Sequence, residues 1–332
     1  MIFTIDYLVE IYHNEGTIGI YTYCTLFFLT NNDIAHIVGI YTYYMRIIKM
    51  GISEKNLKIL KDVLIKSNKP VLMQNEFNKL VKDNLSSYTS LRSIKESLIE
   101  NGILRIKILR SEGYKDVERI EVPELHPTPY HYAVSLRKKT YLTHASALNI
   151  LGLTQQIPKT IFVNKEQSPK KQSTEPLTQE SIDRAFANQQ RKSKYIFKIG
   201  SYNIILLSGK ATNNAGVETD KILNLPRTCL ERTLIDITVR PRYAGSVFNV
   251  LEAFKNSIKD INYVKLLELL KKIDYKYPYH QSLGFYLEKA GAPKKELQKF
   301  RDIGIEYNFY LDYSMASTSF NESWRVFHPM GI

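Results

Sequence analysis

The sequence predicts an α+β protein: an N-terminal winged helix-turn-helix joined to a mixed α+β region that ends in a mainly helical part. Three observations carry that expectation. Residues 53–122 read as three short helices followed by a β-hairpin. Residues from about 130 to 245 mix strand-like and helix-like segments, and from about 246 helical spacing dominates. The expected divisions are therefore 1–49, 50–125 and 126–332.

Residues 1–49 stand apart from the rest. They hold two basic residues, Arg46 and Lys49, against four acidic ones, Asp6, Glu10, Glu15 and Asp33. The apolar runs 18–29 and 34–48 fall short of the roughly 18 residues of a spanning helix. Asp6 and Glu10 stand where a secretory signal carries basic residues. Gly-Ile-Tyr-Thr-Tyr occurs at 19–23 and again at 39–43. The repeat reads as an accidental echo, as a small helical or strand hairpin, or as translated DNA upstream of a native start at Met50. Repeated upstream DNA fits a promoter operator, which makes the third the sharpest expectation.

The winged helix follows element by element. Ser53 is placed to cap a first helix, with Glu54 in the positive first turn. Leu57, Leu60, Val63 and Leu64 recur near helical spacing, and Pro70 stops the run. A second helix is expected over 73–82, with Phe77, Leu80 and Val81 inward. Ser86 and Ser87 offer a cap for a third helix over 88–100, ended by Asn101-Gly102. Residues 103–109 alternate, Ser111-Glu112-Gly113 turns the chain, and Val117, Ile120 and Val122 return on a second strand.

In such a domain the third helix enters the major groove of duplex DNA. The base-reading candidates are Ser87, Tyr88, Thr89 and Ser90, with Arg92 and Lys95 on the exposed side. Arg105, Lys107, Arg110, Lys115 and Arg119 are the phosphate candidates on the wing, each able to release a counterion. The chain carries 46 Lys and Arg against 33 Asp and Glu, a net charge of +13, which suits a polyanionic partner. A winged helix that binds protein, or serves for dimerisation, is the alternative.

Pro123 to Pro129 reads as a proline-rich connection, flanked by His126 and His131. A helix is expected over 141–153, capped near Thr143 and closed by Gly152, then a strand over 159–164. Residues 165–176 are polar with two prolines and read as a loop. Residues 177–188 have helical spacing, and 195–199 with 202–208 form a strand pair about Gly200-Ser201. Helices are expected over 226–237, 246–255, 263–273 and 280–290, with another from Pro293. Residues 303–311 read as a strand, and Trp324 as a packing anchor. Lys294, Lys295, Lys299 and Arg325 are either a solvated face or a second basic surface.

The segments YLTHASALNILGL, PKTIFVNKE, LTQESIDRAFANQQRKS and TCLERTLIDITVRPRYAGSVFNVLEAF, in that order, resemble the AbiEi-type antitoxins of type IV toxin–antitoxin systems. The resemblance runs from about residue 53 to the C-terminus and has no counterpart for 1–49. It implies an N-terminal winged helix that represses its own operon by binding promoter DNA, and a C-terminal region with antitoxin activity. It also implies a nucleotidyltransferase-like toxin as functional partner, without need of a stable complex. Glu231, Arg232, Asp236, Arg240, Arg242 and Tyr243 are the residues assigned to the antitoxin region.

An enzyme is the rival class. Glu218, Asp220, Glu231 and Asp236 have the chemistry of a magnesium site, but their spacing is not diagnostic. Gly209-Lys210 lacks the glycine pattern of a phosphate loop. Cys24 and Cys229 are far apart and no Cys/His cluster has zinc spacing, so no metal or cofactor is expected. A non-enzymatic, cytoplasmic protein without a membrane partner is the resulting expectation.

Overall fold

The computed structural model describes residues 8–14, 17–23, 52–88, 90–170 and 175–332. The protein is mixed α+β. Strands β1 (Leu8–Asn14) and β2 (Thr17–Tyr23) form an antiparallel hairpin, with Asn14 opposite Thr17. The first Gly-Ile-Tyr-Thr-Tyr copy lies on β2; the second lies outside the described residues, as does Met50. Among the described residues no helix is long and apolar enough to cross a membrane.

The next module starts with α1 (Glu54–Lys66), whose Ser53 Oγ accepts from the Asn56 amide at 3.3 Å. Strand β3 (Val71–Leu72) follows Pro70, then α2 (Gln74–Asn84) and α3 (Leu91–Glu100). Strands β4 (Arg105–Ser111) and β5 (Val117–Glu121) close a hairpin, and β3 pairs antiparallel with β5. Leu60, Leu64, Phe77, Val81, Ile94, Leu98, Leu104 and Ile120 form one core. These are the positions that helical and strand periodicity put inward.

The third helix starts later than the serine pair at 86–87 suggests. Ser90 is the residue in extended geometry (φ −157°, ψ 150°), and its Oγ accepts from the Ser93 amide at 3.0 Å. Capping needs that backbone geometry as well as the hydroxyl. Ser87 and Tyr88 therefore precede α3, Ser90 caps it, and Thr89 lies outside the described residues.

The proline-rich stretch is more ordered than a linker. A single 3₁₀ turn spans Pro123–Leu125, and α4 (Pro129–Ser135) follows at once. The His131 ring accepts from the Thr128 amide at 3.0 Å, a capping role that accounts for this histidine.

Strands β6 (Tyr141–Leu142), β7 (Thr160–Glu166), β8 (Ile196–Ile199), β9 (Tyr202–Gly209), β10 (Val217–Thr219) and β11 (Pro226–Thr228) join β3, β4 and β5 in one nine-stranded sheet. Its order is β10-β11-β6-β7-β9-β8-β4-β5-β3. β7 and β9 run parallel, and β4 meets β8 antiparallel through Arg110 opposite Lys198 and Ser111 opposite Phe197. Leu109, Leu142, Ile161, Val163, Phe197 and Ile204 form a second core beneath this sheet.

Two expected helices begin as strands. Tyr141 and Leu142 belong to β6, and only α5 (Ala145–Ile150) is helical, after His144 at φ +51°. Pro226 opens β11 instead of a helix, because a first strand position does not need its missing N–H. The helix itself is α7 (Leu230–Val239); α6 (Gln179–Ala187) precedes it.

The C-terminal part packs α7 with α8 (Val247–Ser257), α9 (Tyr263–Ile273), α10 (Tyr279–Lys289) and α11 (Lys294–Arg301). A small sheet of β12 (Phe309–Tyr310), β13 (Thr318–Asn321) and β14 (Val326–Pro329) closes it, so the expected strand over 303–311 shrinks to two residues. Trp324 is fully buried: its Nε1 donates to Glu288 Oε2 at 3.0 Å, and Arg301 lies 4.1 Å from its ring centroid. Gly284 is required under that ring, because a Cβ there would sit 2.1 Å from a Trp324 carbon.

Candidate functional site

Between the β7–β9 part of the sheet and the helices α7 and α9 lies a cleft of about 1490 Å³. Its floor is a polar network drawn from four segments. Arg232 on α7 donates to Asp236 Oδ1 at 2.8 Å, one helical turn on, and to the Ala215 carbonyl at 2.6 Å. Thr143 donates to the other Asp236 oxygen at 2.7 Å. Asn164 on β7 donates to the Tyr141 hydroxyl at 2.7 Å and accepts from the Gly209 amide on β9 at 2.8 Å. Glu166 accepts from the Thr212 amide at 2.9 Å and the Asn214 amide at 3.2 Å, and from the Thr212 hydroxyl. Gly216, at φ +70°, lets the chain pass this floor; a Cβ would be 2.7 Å from Arg232 Cβ.

The electrostatics follow from that wiring. Burial disfavours the Arg232 cation, but the adjacent Asp236 carboxylate more than offsets it, and the guanidinium pKa is held above its ordinary value. Burial would raise the Glu166 carboxyl, yet the donors from Thr212 and Asn214 hold it below its ordinary value. Burial lowers His144 to about 4, against the opposing pull of Asp236, so its imidazole is neutral near pH 7. Thr143 commits its proton to Asp236, so it accepts at 3.1 Å from a protonated His144 Nδ1. Nε2 is then a buried acceptor with no hydrogen-bond partner.

The walls are cationic. Lys139 comes from the turn before β6, Lys165 from β7, and Lys170 from the loop after it. Arg191, Lys192 and Lys194 lie before β8, Lys210 follows β9, Arg240 follows α7, and Lys272 sits on α9. With Arg232 they make ten cations against two carboxylates, Glu166 and Asp236, both already engaged in the floor. Among the described residues, Arg232 is the one member of these ten in a carboxylate ion pair. Tyr114 and Tyr195 stack at the rim, with ring centroids 4.6 Å apart.

The six residues assigned to the antitoxin region divide here. Arg232, Asp236, Arg240 and Tyr243 line the cleft. Glu231 turns away to Lys265, at 2.8 Å, and to the amide of Asn262. Arg242 is bound to Asp312 at 3.1 Å and to the Tyr313 carbonyl, so it ties the turn after α7 to the segment that follows β12 instead of facing the cleft. The four nuclease-like carboxylates do not converge: Glu218 and Asp220 pair with Arg227, Glu231 with Lys265, and Asp236 with Arg232. No group of three or more metal-ligating side chains that could hold an ion forms among the described residues.

The residues named for DNA are partly paired. Arg92, exposed, meets Glu96 at 2.8 Å, and Lys95 meets Glu118 at 3.3 Å and Gln74 at 3.0 Å. Arg105 and Lys107 each lie 3.9 Å from Glu121, which also accepts from the Tyr132 hydroxyl. Arg110 and Lys115 are exposed. Arg119 is a correction: it is buried and donates to the Ser135 carbonyl at 2.6 Å and the Leu136 carbonyl at 3.0 Å. Burial lowers its pKa to about 10, with the Arg137 charge adding to the effect. It anchors α4 against β5 and is not available to a phosphate.

Lys165, Lys210 and Lys272 were not legible as a site, because they stand on segments that only the tertiary fold brings together. The Arg191-Lys192-Ser193-Lys194 run was the available local signal.

No family model matches the chain, and no curated protein matches it. A crystal structure of the RV2827C protein from Mycobacterium tuberculosis overlaps 83% of this chain and 92% of its own, at 14% identity and a TM-score of 0.47.

Proposed function

We propose that residues 53–122 are a winged helix-turn-helix that binds duplex promoter DNA, and that the protein is the autorepressing antitoxin of a type IV toxin–antitoxin system. The observation that carries the DNA-binding half is the order α1, β3, α2, α3, β4, β5 with β3 paired to β5. In that arrangement α3 buries Ile94 and Leu98 and leaves Arg92 and Glu96 outward. It is the helix available to a major groove. Ser90 and Tyr88 sit at its N-terminal end, where base edges are met. Arg110 and Lys115 on the exposed hairpin supply phosphate contacts.

The antitoxin half rests on the resemblance to the AbiEi-type family, and four of its six assigned residues line one cleft. Two experiments test the two halves separately. A gel shift with the DNA just upstream of the gene should show a discrete complex at moderate salt. Folded protein that leaves this DNA unshifted would remove the repressor reading and leave the winged helix as a protein-binding or dimerisation module. Co-expression with a neighbouring nucleotidyltransferase-like toxin should restore growth. Full chain that gives no rescue would remove the antitoxin reading.

A further inference from the structure

We propose that the cleft between the sheet and α7–α9 is a binding site for single-stranded nucleic acid, separate from the duplex-binding face at α3. This inference does not depend on the repressor or antitoxin reading.

Size is the first argument. Small-molecule pockets run to roughly 300–1000 Å³. At about 1490 Å³ the cleft exceeds that range and holds several nucleotide units more naturally than one small metabolite.

Charge is the second. Lys165, Lys210 and Lys272 reach the cleft from β7, the end of β9 and α9, and no carboxylate ion pair holds any of them among the described residues. Lys165 donates to the Lys138 carbonyl at 2.9 Å, and Lys210 donates to the Asp274 carbonyl and lies 5.9 Å from the Tyr275 ring centroid. A phosphate displaces a neutral carbonyl from these ammonium groups without stranding an anion.

Aromatic surface is the third, and it selects single strands over duplex. Tyr114 and Tyr195 stack on each other yet remain 45% and 42% exposed, which leaves ring face and edge free at the rim. A base stacks on such a ring only when it is not paired within a duplex. Cations along a groove with aromatic rings between them are the physical requirement for sequence-tolerant single-strand binding. His144 adds an acceptor. It lines the same cleft, and its buried Nε2 lacks a donor that a base amino group or a ribose hydroxyl would supply. Its backbone at φ +51° is an uncommon conformation for a non-glycine residue.

The test is fluorescence anisotropy on the full chain with a labelled uridine oligonucleotide of about twelve residues, within the ~4–16 nucleotide span of known single-strand sites. Salt titration gives the number of phosphates neutralised, at about 0.7 of slope each. The triple variant Lys165→Ala, Lys210→Ala, Lys272→Ala should weaken binding at least about tenfold and lower the slope by about 2. Tyr195→Ala should weaken it by about tenfold with the slope unchanged. Arg92→Ala with Lys115→Ala should leave it within about twofold. The three lysines stand at the cleft surface, and an unchanged melting temperature verifies that the variant folds. Three results each overturn the proposal: wild-type protein that does not bind the oligonucleotide, a folded triple variant that binds as wild type does, or full competition by duplex DNA or by polyglutamate.

Discussion

The α3 face and the C-terminal cleft are both basic, but their cations are wired differently. On the N-terminal module Arg92, Lys95, Arg105 and Lys107 each face a glutamate. In the cleft one arginine is paired and buried in the floor, while among the described residues Lys165 and Lys210 above it donate to carbonyls and no carboxylate ion pair holds Lys272. A formal charge of +13 therefore says little about where a polyanion binds. A cation already neutralised by a carboxylate must give up that partner, or share it, before it adds to binding. Among the described residues the lysines at the cleft rim carry no such cost, whereas Arg92 and Lys95 on α3 do.

The largest effect expected from this contrast is in stability. Asp236→Ala leaves Arg232 buried without its counter-ion and should cost about 3–5 kcal/mol. Glu96→Ala, at the exposed Arg92 pair, should leave the urea midpoint where it was. Equal midpoints for Asp236→Ala and the wild type would show that the cleft floor is not held by its ion pair. The second effect is pH-dependent. His144 has an ordinary pKa of 6.5 that burial lowers to about 4 in the folded protein. The unfolded chain thus takes up a proton first as pH falls, and stability present above pH 6.5 is lost down to about pH 4. The loss amounts to about 3 kcal/mol. His144→Asn should flatten this part of the stability profile, leaving the residual slope to His131 and His280, which burial also lowers. A profile as steep in the variant as in the wild type would count against a neutral buried His144.

Smaller effects distinguish the cations of the N-terminal module. Lys115→Ala and Arg110→Ala should each lower the salt slope of duplex binding by about 0.9. Arg119→Ala should instead lower the melting temperature and leave that slope alone, because its guanidinium holds Ser135 and Leu136. A changed slope for Arg119→Ala, without a loss of stability, would return it to the phosphate-facing set. Smallest of all, Glu96→Gln frees Arg92 and should tighten duplex binding by a few-fold, read by a gel-shift titration. Weaker binding would place Arg92 away from DNA.

Where local chemistry decides the backbone, the sequence was readable. Ser53 caps the helix it was expected to cap, the helix expected from residue 246 begins at Val247, and the helix at Tyr263–Ile273 has the bounds its leucines suggest. The failures share a cause. β6 and β11 are two and three residues long, too short for any periodicity, and exist because distant strands supply their partners. The start of α3 was ambiguous because Ser86, Ser87 and Ser90 carry the same hydroxyl, and only the extended backbone at Ser90 makes it the cap. Arg119 looked outward on the second strand of the hairpin, yet α4, formed from residues beyond Pro127, folds over it. The candidate cleft was half visible. Arg232, Asp236, Arg240 and Tyr243 lie on one short segment and were named together. The lysines opposite them come from strands and a helix that meet only in the folded chain.

The seam between β4 and β8 is two residue pairs long, yet it makes the N-terminal hairpin and the cleft wall parts of one sheet. The β4–β5 hairpin carries the phosphate candidates, while Lys194 leads into β8 and β9 leads into Lys210. Ligands on either side of this seam would sit on neighbouring strands of one sheet, whose twist spans both. If occupancy of the cleft shifts that twist, the hairpin's affinity changes by some factor, and thermodynamic linkage requires duplex DNA to change the cleft's affinity by the same factor. The seam is thus the place where a promoter-bound molecule and one loaded at its cleft would become distinguishable states of the same protein.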